Sequence, residues 1–110
     1  MSNEGRDLSG APVFEIDVRD NHGESVVTVV GEFDAAAVAS LEVELDWVAP
    51  EPARLDLTGV TFIDSTALTF LVRRQKTIAL LTVSGAVDRL IRMCGLETEL
   101  VYAVGAPTPE

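Results

Sequence analysis

Asp64-Ser65-Thr66 sets two hydroxyls directly behind a carboxylate, at the point where the apolar strand pattern of Leu55, Leu57, Val60 and Ile63 gives way to helical spacing. A helix start leaves several backbone N–H groups without partners and carries positive partial charge. A serine placed there can cap the helix, or it can accept a phosphate that those donors and the helix dipole then hold. The chemistry on offer is phosphoryl acceptance at Ser65, with Thr66 as a secondary acceptor. The spacing alone favours a plain N-cap, a contribution of about 1 kcal/mol. Asp64 in turn either favours the positive helix end electrostatically or orients the Ser65 hydroxyl and keeps the site negative.

Other reactive side chains are few. His22 invites a Ser-His-Asp reading, but it sits beside Gly23 in a turn-forming stretch, and the chain has neither a Gly-x-Ser-x-Gly elbow nor an evident oxyanion-hole loop. One cysteine and one histidine do not make a zinc site without recruiting carboxylates. Cys94 cannot form an intrachain disulfide, and its spacing places it on the buried stripe of a helix. Eight basic against eighteen acidic residues give a formal charge of −10, which repels phosphate backbones and anionic lipid and either suits encounter with a basic protein surface or simply maintains solubility. The polar, acidic N-terminus lacks the basic start and apolar run of a secretory signal, and no run approaches the ~20 apolar residues of a membrane span. The expectation is a cytoplasmic protein that touches neither nucleic acid nor membrane.

Alternating elements position these residues. Val13 to Val18 read as a strand, Asp20-Asn21-His22-Gly23 as a turn, and Ser25 to Gly31 as an antiparallel return strand whose nearly continuous apolar character suits a central position. Asp34 caps a helix running to about Val48, with Val38, Leu41, Leu45 and Val48 on one face and Glu42, Glu44 and Asp46 on the wet side. Trp47, near its end, is a packing residue or, if partly exposed, an interface anchor. Pro50-Glu51-Pro52 stops the helix, and a buried strand follows from Ala53 to Thr58 with a turn at Gly59. The second helix, from Ser65, buries Leu68, Leu71 and Val72 and ends in Arg73, Arg74 and Lys76. Ile78 to Val83 form the next strand. A third helix from Ala86 shows Val87, Leu90, Ile91 and Cys94 at helical spacing and ends at Gly95, and Leu100 to Ala103 supply a short last strand.

This order across almost the whole chain resembles the STAS domain family, the bacterial anti-sigma-factor antagonists. Three anchors carry the resemblance: Gly31-Glu32-Phe33-Asp34, similar to the family's Gly-Glu-Leu-Asp signature; Asp64-Ser65-Thr66-Ala67-Leu68, similar to its Asp-Ser-[Ser/Thr]-Gly-Leu motif; and Ala86 to Leu90 with Met93 to Leu96, similar to its third helix. The resemblance implies one α/β domain over residues 1–110, a mixed β-sheet with helices mainly on one face, and an ordered core of about 12–104 between flexible ends. It further implies a monomer without cofactor or catalytic residues. Its function would be to bind an anti-sigma factor with serine kinase activity and so release a sigma factor, to be switched off by phosphorylation at Ser65, and to be restored by a phosphatase acting on phospho-Ser65. Glu32, Asp34, Asp64, Ser65, Thr66 and Ala67 are the implied partner-binding residues. A second reading is a ligand-sensing or scaffold STAS module that binds a nucleotide or assembles into a signalling complex. Two departures from the family stand out. Ala67 replaces the usual glycine, which adds a methyl group expected to crowd Ser65, and Gln75-Lys76-Thr77 is a short connection that curtails the second helix.

Overall fold

Two residues close the first hairpin. In the computed structural model, which describes residues 13–48 and 52–105, β1 (Phe14–Asn21) and β2 (Glu24–Phe33) pair antiparallel from Phe14 opposite Gly31 to Asn21 opposite Glu24. His22 and Gly23 between them have φ of 56° and 84°, the type I′ pattern that follows strand twist. The turn is therefore tighter than the four residues expected from the sequence, and both strands are longer.

The chain continues through α1 (Ala35–Val48), β3 (Ala53–Ile63), α2 (Ser65–Arg73), a 3-10 turn (Gln75–Thr77), β4 (Ile78–Val83), α3 (Gly85–Met93) and β5 (Ala103–Val104). The sheet order is β1-β2-β3-β4-β5, antiparallel at the hairpin and parallel beyond it. Side chains alternate across strands, so the in-register row Val27, Leu55, Leu81 lies on one face and the row Val26, Arg54, Leu80 on the other. The first face, with Val29, Leu57 and Val83, is buried with Leu41, Leu45, Leu71, Val87 and Ile91 from the helices. The second leaves Val30, Phe62 and Leu80 exposed. This is an α/β domain with a mixed sheet and its helices on one face.

Three local expectations need correction. Gly59 is not a turn: β3 runs on to Ile63, and between the Thr28–Asp56 and Val30–Gly59 pairs β3 spends one residue more than β2, a bulge. Asp56 stabilises it by accepting from both the backbone N–H (2.9 Å) and the hydroxyl (2.7 Å) of Thr58. Cys94 is exposed and not core, because the helix ends at Met93 and Cys94 is already its C-cap. Gly95, at φ 73°, then reverses the chain, and its N–H bonds to Arg92 O while that of Leu96 bonds to Ile91 O, a Schellman pair. Trp47 does not pack: it is 81% exposed. The short second connection is a 3-10 turn leading straight into β4, after a helix of nine residues. The expected loose ends before Val13 and after Gly105, and most of Pro50-Glu51-Pro52, lie outside the described residues.

Candidate functional site

Parallel strands bring two helix starts side by side. Phe33, the last residue of β2, pairs with Ile63, the last of β3, and the Asp64 N–H donates to Phe33 O at 3.3 Å. Each strand then hands over to a helix through an aspartate. Asp34 Oδ1 accepts from Ala37 N at 3.1 Å and Asp64 Oδ1 accepts from Ala67 N at 2.9 Å, so both carboxylates are N-caps in extended-to-helical junctions. Asp64 therefore caps α2, and Ser65 is its first helical residue. The reading in which Ser65 itself caps the helix is replaced by this one. Ser65 is exposed, and among the described residues no hydrogen bond engages its hydroxyl.

The junction of β1 and β2 fixes the neighbouring carboxylate. Gly31, at φ 101°, lets the chain pass under Val13, whose carbonyl oxygen would lie 2.4 Å from any Cβ there. Glu32 N–H donates to that same Val13 oxygen at 2.8 Å. The side chain of Glu32 is exposed next to Phe62, its partner across the strands on the face away from the helices, and Phe62 is half-exposed. Glu32, Asp34 and Asp64 thus all lie at the paired ends of β2 and β3, Glu32 on the face away from the helices and the other two at the positive ends of α1 and α2.

Ser65, Thr66, Thr69, Phe70 and Arg73 of α2 face Val38 and Glu42 of α1 across a groove of about 300 Å³. Ser65, Thr69 and Arg73 stand four residues apart and so share a side of α2. That spacing is visible in the sequence, where local chemistry marks Arg73 only as a favourable charge at the helix end. Arg74, one residue on, instead joins the helices: its guanidinium lies 3.8 Å from Asp46 and 4.0 Å from Glu42, and 5.8 Å over the Phe70 ring. Phe70 meets Phe33 edge-on at 6.2 Å beneath the site.

Ala67 stands apart from the other expected contact residues. It is 0% exposed, its methyl in the core under the first turn of α2, so its side chain offers nothing to a partner and does not crowd the Ser65 hydroxyl from outside. The physical reason is register: two residues beyond Ser65, the helix has rotated about 200°. His22 lies in the turn beyond the far end of β2, whose nine steps of ~3.3 Å set Glu24 about 30 Å from Phe33, which removes the Ser-His-Asp arrangement. Among the described residues no three of His, Cys, Asp and Glu converge as metal ligands do. No helix among them is long and apolar enough to cross a membrane.

Residues 16–102 match the family model described as "Mlab, STAS domain". No curated protein sequence matches the chain. Among solved structures, an anti-sigma factor antagonist from Mycobacterium paratuberculosis is similar at 28% identity and a TM-score of 0.65, with 86% of each chain covered. An uncharacterised protein with a SpoIIAA-like fold from Shewanella loihica shares the fold at 12% identity and a TM-score of 0.53, over 86% of this chain and 87% of that one. The family match runs from within β1 to the residue before β5, and it includes both capped helix starts. The chain belongs to the STAS domain family.

Proposed function

We propose that this protein is an anti-sigma factor antagonist controlled by phosphorylation at Ser65. Unmodified, it binds an anti-sigma factor with serine kinase activity through the acidic surface formed by Glu32, Asp34, Asp64, Ser65 and Thr66, and the bound sigma factor is released. The kinase transfers the γ-phosphoryl group of ATP to Ser65 Oγ, leaving ADP, and the hydroxyl proton passes to solvent or to a base of the kinase. The phosphoester then blocks rebinding until a phosphatase hydrolyses it. In this reading the chain is a substrate and has no catalytic residues of its own.

The observation that carries the reading is the division of labour between Asp64 and Ser65. Since Asp64 caps α2, the exposed Ser65 hydroxyl is free to be modified without loss of the cap. Phosphate adds about −1.5 to −2 charges at neutral pH, and the helix N-terminus stabilises that charge within the domain. Repulsion is felt instead by an incoming partner, which must desolvate the phosphate beside Asp64 and Asp34. The likeness to the mycobacterial anti-sigma factor antagonist supports the antagonist part of this reading.

Incubation with ATP and an anti-sigma kinase from the source organism, followed by peptide mapping, tests it. Phosphate is expected on Ser65 and absent from Ser65→Ala. Predominant modification of Thr66, or undiminished labelling of Ser65→Ala, would contradict it.

A further inference from the structure

α1 is apolar on two sides. Ala37, Val38, Leu41 and Leu45 enter the core. At ~100° per residue, Ala36, Ser40, Val43 and Trp47 form a second stripe on the side turned away from it. Val43 is 55% and Trp47 81% exposed. An apolar stripe on a second side of a helix is ordinarily covered as the first is, and exposed tryptophan beside a branched aliphatic is the composition of an interface anchor. The stripe's spacing of four, three and four residues is that of the seam positions of a two-stranded coiled coil, in which Glu44 and Asp46 fall on the two flanks.

We propose that this outward stripe of α1 is a docking surface for an amphipathic helix of another protein, one whose apolar seam is flanked by lysine or arginine. The charges select the occupant. A second copy of this chain would set Glu44 and Asp46 against their own kind, in a protein already carrying −10. A basic-flanked helix meets them with opposite charge. Asp46, although 3.8 Å from Arg74, keeps a side chain 76% exposed on that flank. The fourteen residues of α1 span about 21 Å, room for two heptads of a partner. The surface is distinct from the Ser65 groove, to which α1 contributes Val38 and Glu42, and its use does not depend on phosphorylation.

Trp47 is the only tryptophan, so its emission reports directly on the stripe. The full chain is titrated with a three-heptad synthetic helix bearing leucine at the seam and lysine at the flanks, and with the same helix bearing glutamate at the flanks. The lysine peptide is expected to shift Trp47 emission to the blue and the glutamate peptide to leave it unchanged. Val43→Asp should weaken binding at least about tenfold, the loss of a central interface contact. Raising the ionic strength to about 1 M, where the screening length falls to ~3 Å, should weaken it severalfold. Ala36→Asp, at the other end of the stripe, serves the same purpose if Val43→Asp fails to fold. No shift with the lysine peptide at millimolar concentration, or an equal response to both peptides, would overturn the proposal. So would a blue shift that grows with protein concentration alone while sedimentation shows dimers, since the occupant would then be a second copy.

Discussion

Asp64→Ala and Ser65→Ala, compared side by side, separate the structural residue of the α2 start from the one available for chemistry. Asp64 satisfies the Ala67 N–H at 2.9 Å and places a negative charge at the positive helix end. Loss of such a cap costs about 1 kcal/mol, within a range of about 0.5 to 2. The charge at the dipole adds roughly 0.3 to 1 kcal/mol. Ser65 is exposed at the first helical position, where truncation to alanine is expected to change stability by less than about 0.5 kcal/mol. In a domain of this size each kcal/mol moves the melting temperature by about 4 to 8 °C. Thermal and urea unfolding followed by circular dichroism should therefore show Asp64→Ala melting several degrees low and Ser65→Ala close to wild type. Equal losses in the two variants would refute the reasoning, because the hydroxyl would then be part of the cap and its phosphorylation would act through the stability of α2.

Gly31→Ala combines a positive φ with a Cβ placed 2.4 Å from Val13 O, so it should destabilise by more than about 1 kcal/mol and shift the Val13–Glu32 amide signals; a wild-type melting curve would contradict the close crossing. Ala67→Gly should cost about 1 kcal/mol of helix stability and leave the rate of Ser65 phosphorylation unchanged, since the methyl is in the core; faster phosphorylation would show that the methyl limits access after all. The Tyr102 hydroxyl donates to Asp88 Oδ1, and this bond first, with Arg92 at 3.1 Å, holds the Asp88 carboxyl below its ordinary value. The stabilisation is thus present above the ordinary carboxylate range and is lost as pH falls through the lowered pKa. Burial first, and then the bond to Asp88, push the Tyr102 phenol up, so its contribution is present below the ordinary phenol range and is lost as pH rises through the raised pKa. Carboxyl-carbon NMR titration of Tyr102→Phe should show Asp88 returning towards its ordinary value, and an unchanged titration would assign the shift to Arg92 alone.

Much of the architecture was legible because it rests on local patterns. Alternation in β1, the nearly continuous apolar run of β2 and the cap at Asp34 required no tertiary information. The same holds for Gly95, whose reversal is written in the glycine that follows a helical stripe. The misreadings came where tertiary register outweighs local chemistry. Gly59 resembles a turn in the sequence, yet its pairing with Val30 of β2 keeps β3 extended past Leu57, where the β4 ladder ends, and the extra residue is absorbed as a bulge held by Asp56. Cys94 keeps the helical spacing of its stripe one residue past the point where the helix ends. At the site, the pairing of two capped helix starts was foreshadowed by Asp34 and Asp64, but their adjacency depends on parallel pairing of β2 with β3. The burial of Ala67 follows from which side of α2 meets the sheet, and the pentapeptide does not specify that side. Trp47 was ambiguous because α1 is apolar on both sides, so its spacing alone does not say which stripe is the core.

The affinity of an anti-sigma kinase for this chain, measured by calorimetry before and after stoichiometric phosphorylation of Ser65, addresses the switch most directly. Binding should be present for the unmodified protein and for Ser65→Ala, and should be lost on phosphorylation and in Ser65→Asp, with melting temperatures staying close to wild type. Equal affinity of the unmodified and phosphorylated forms would contradict the account.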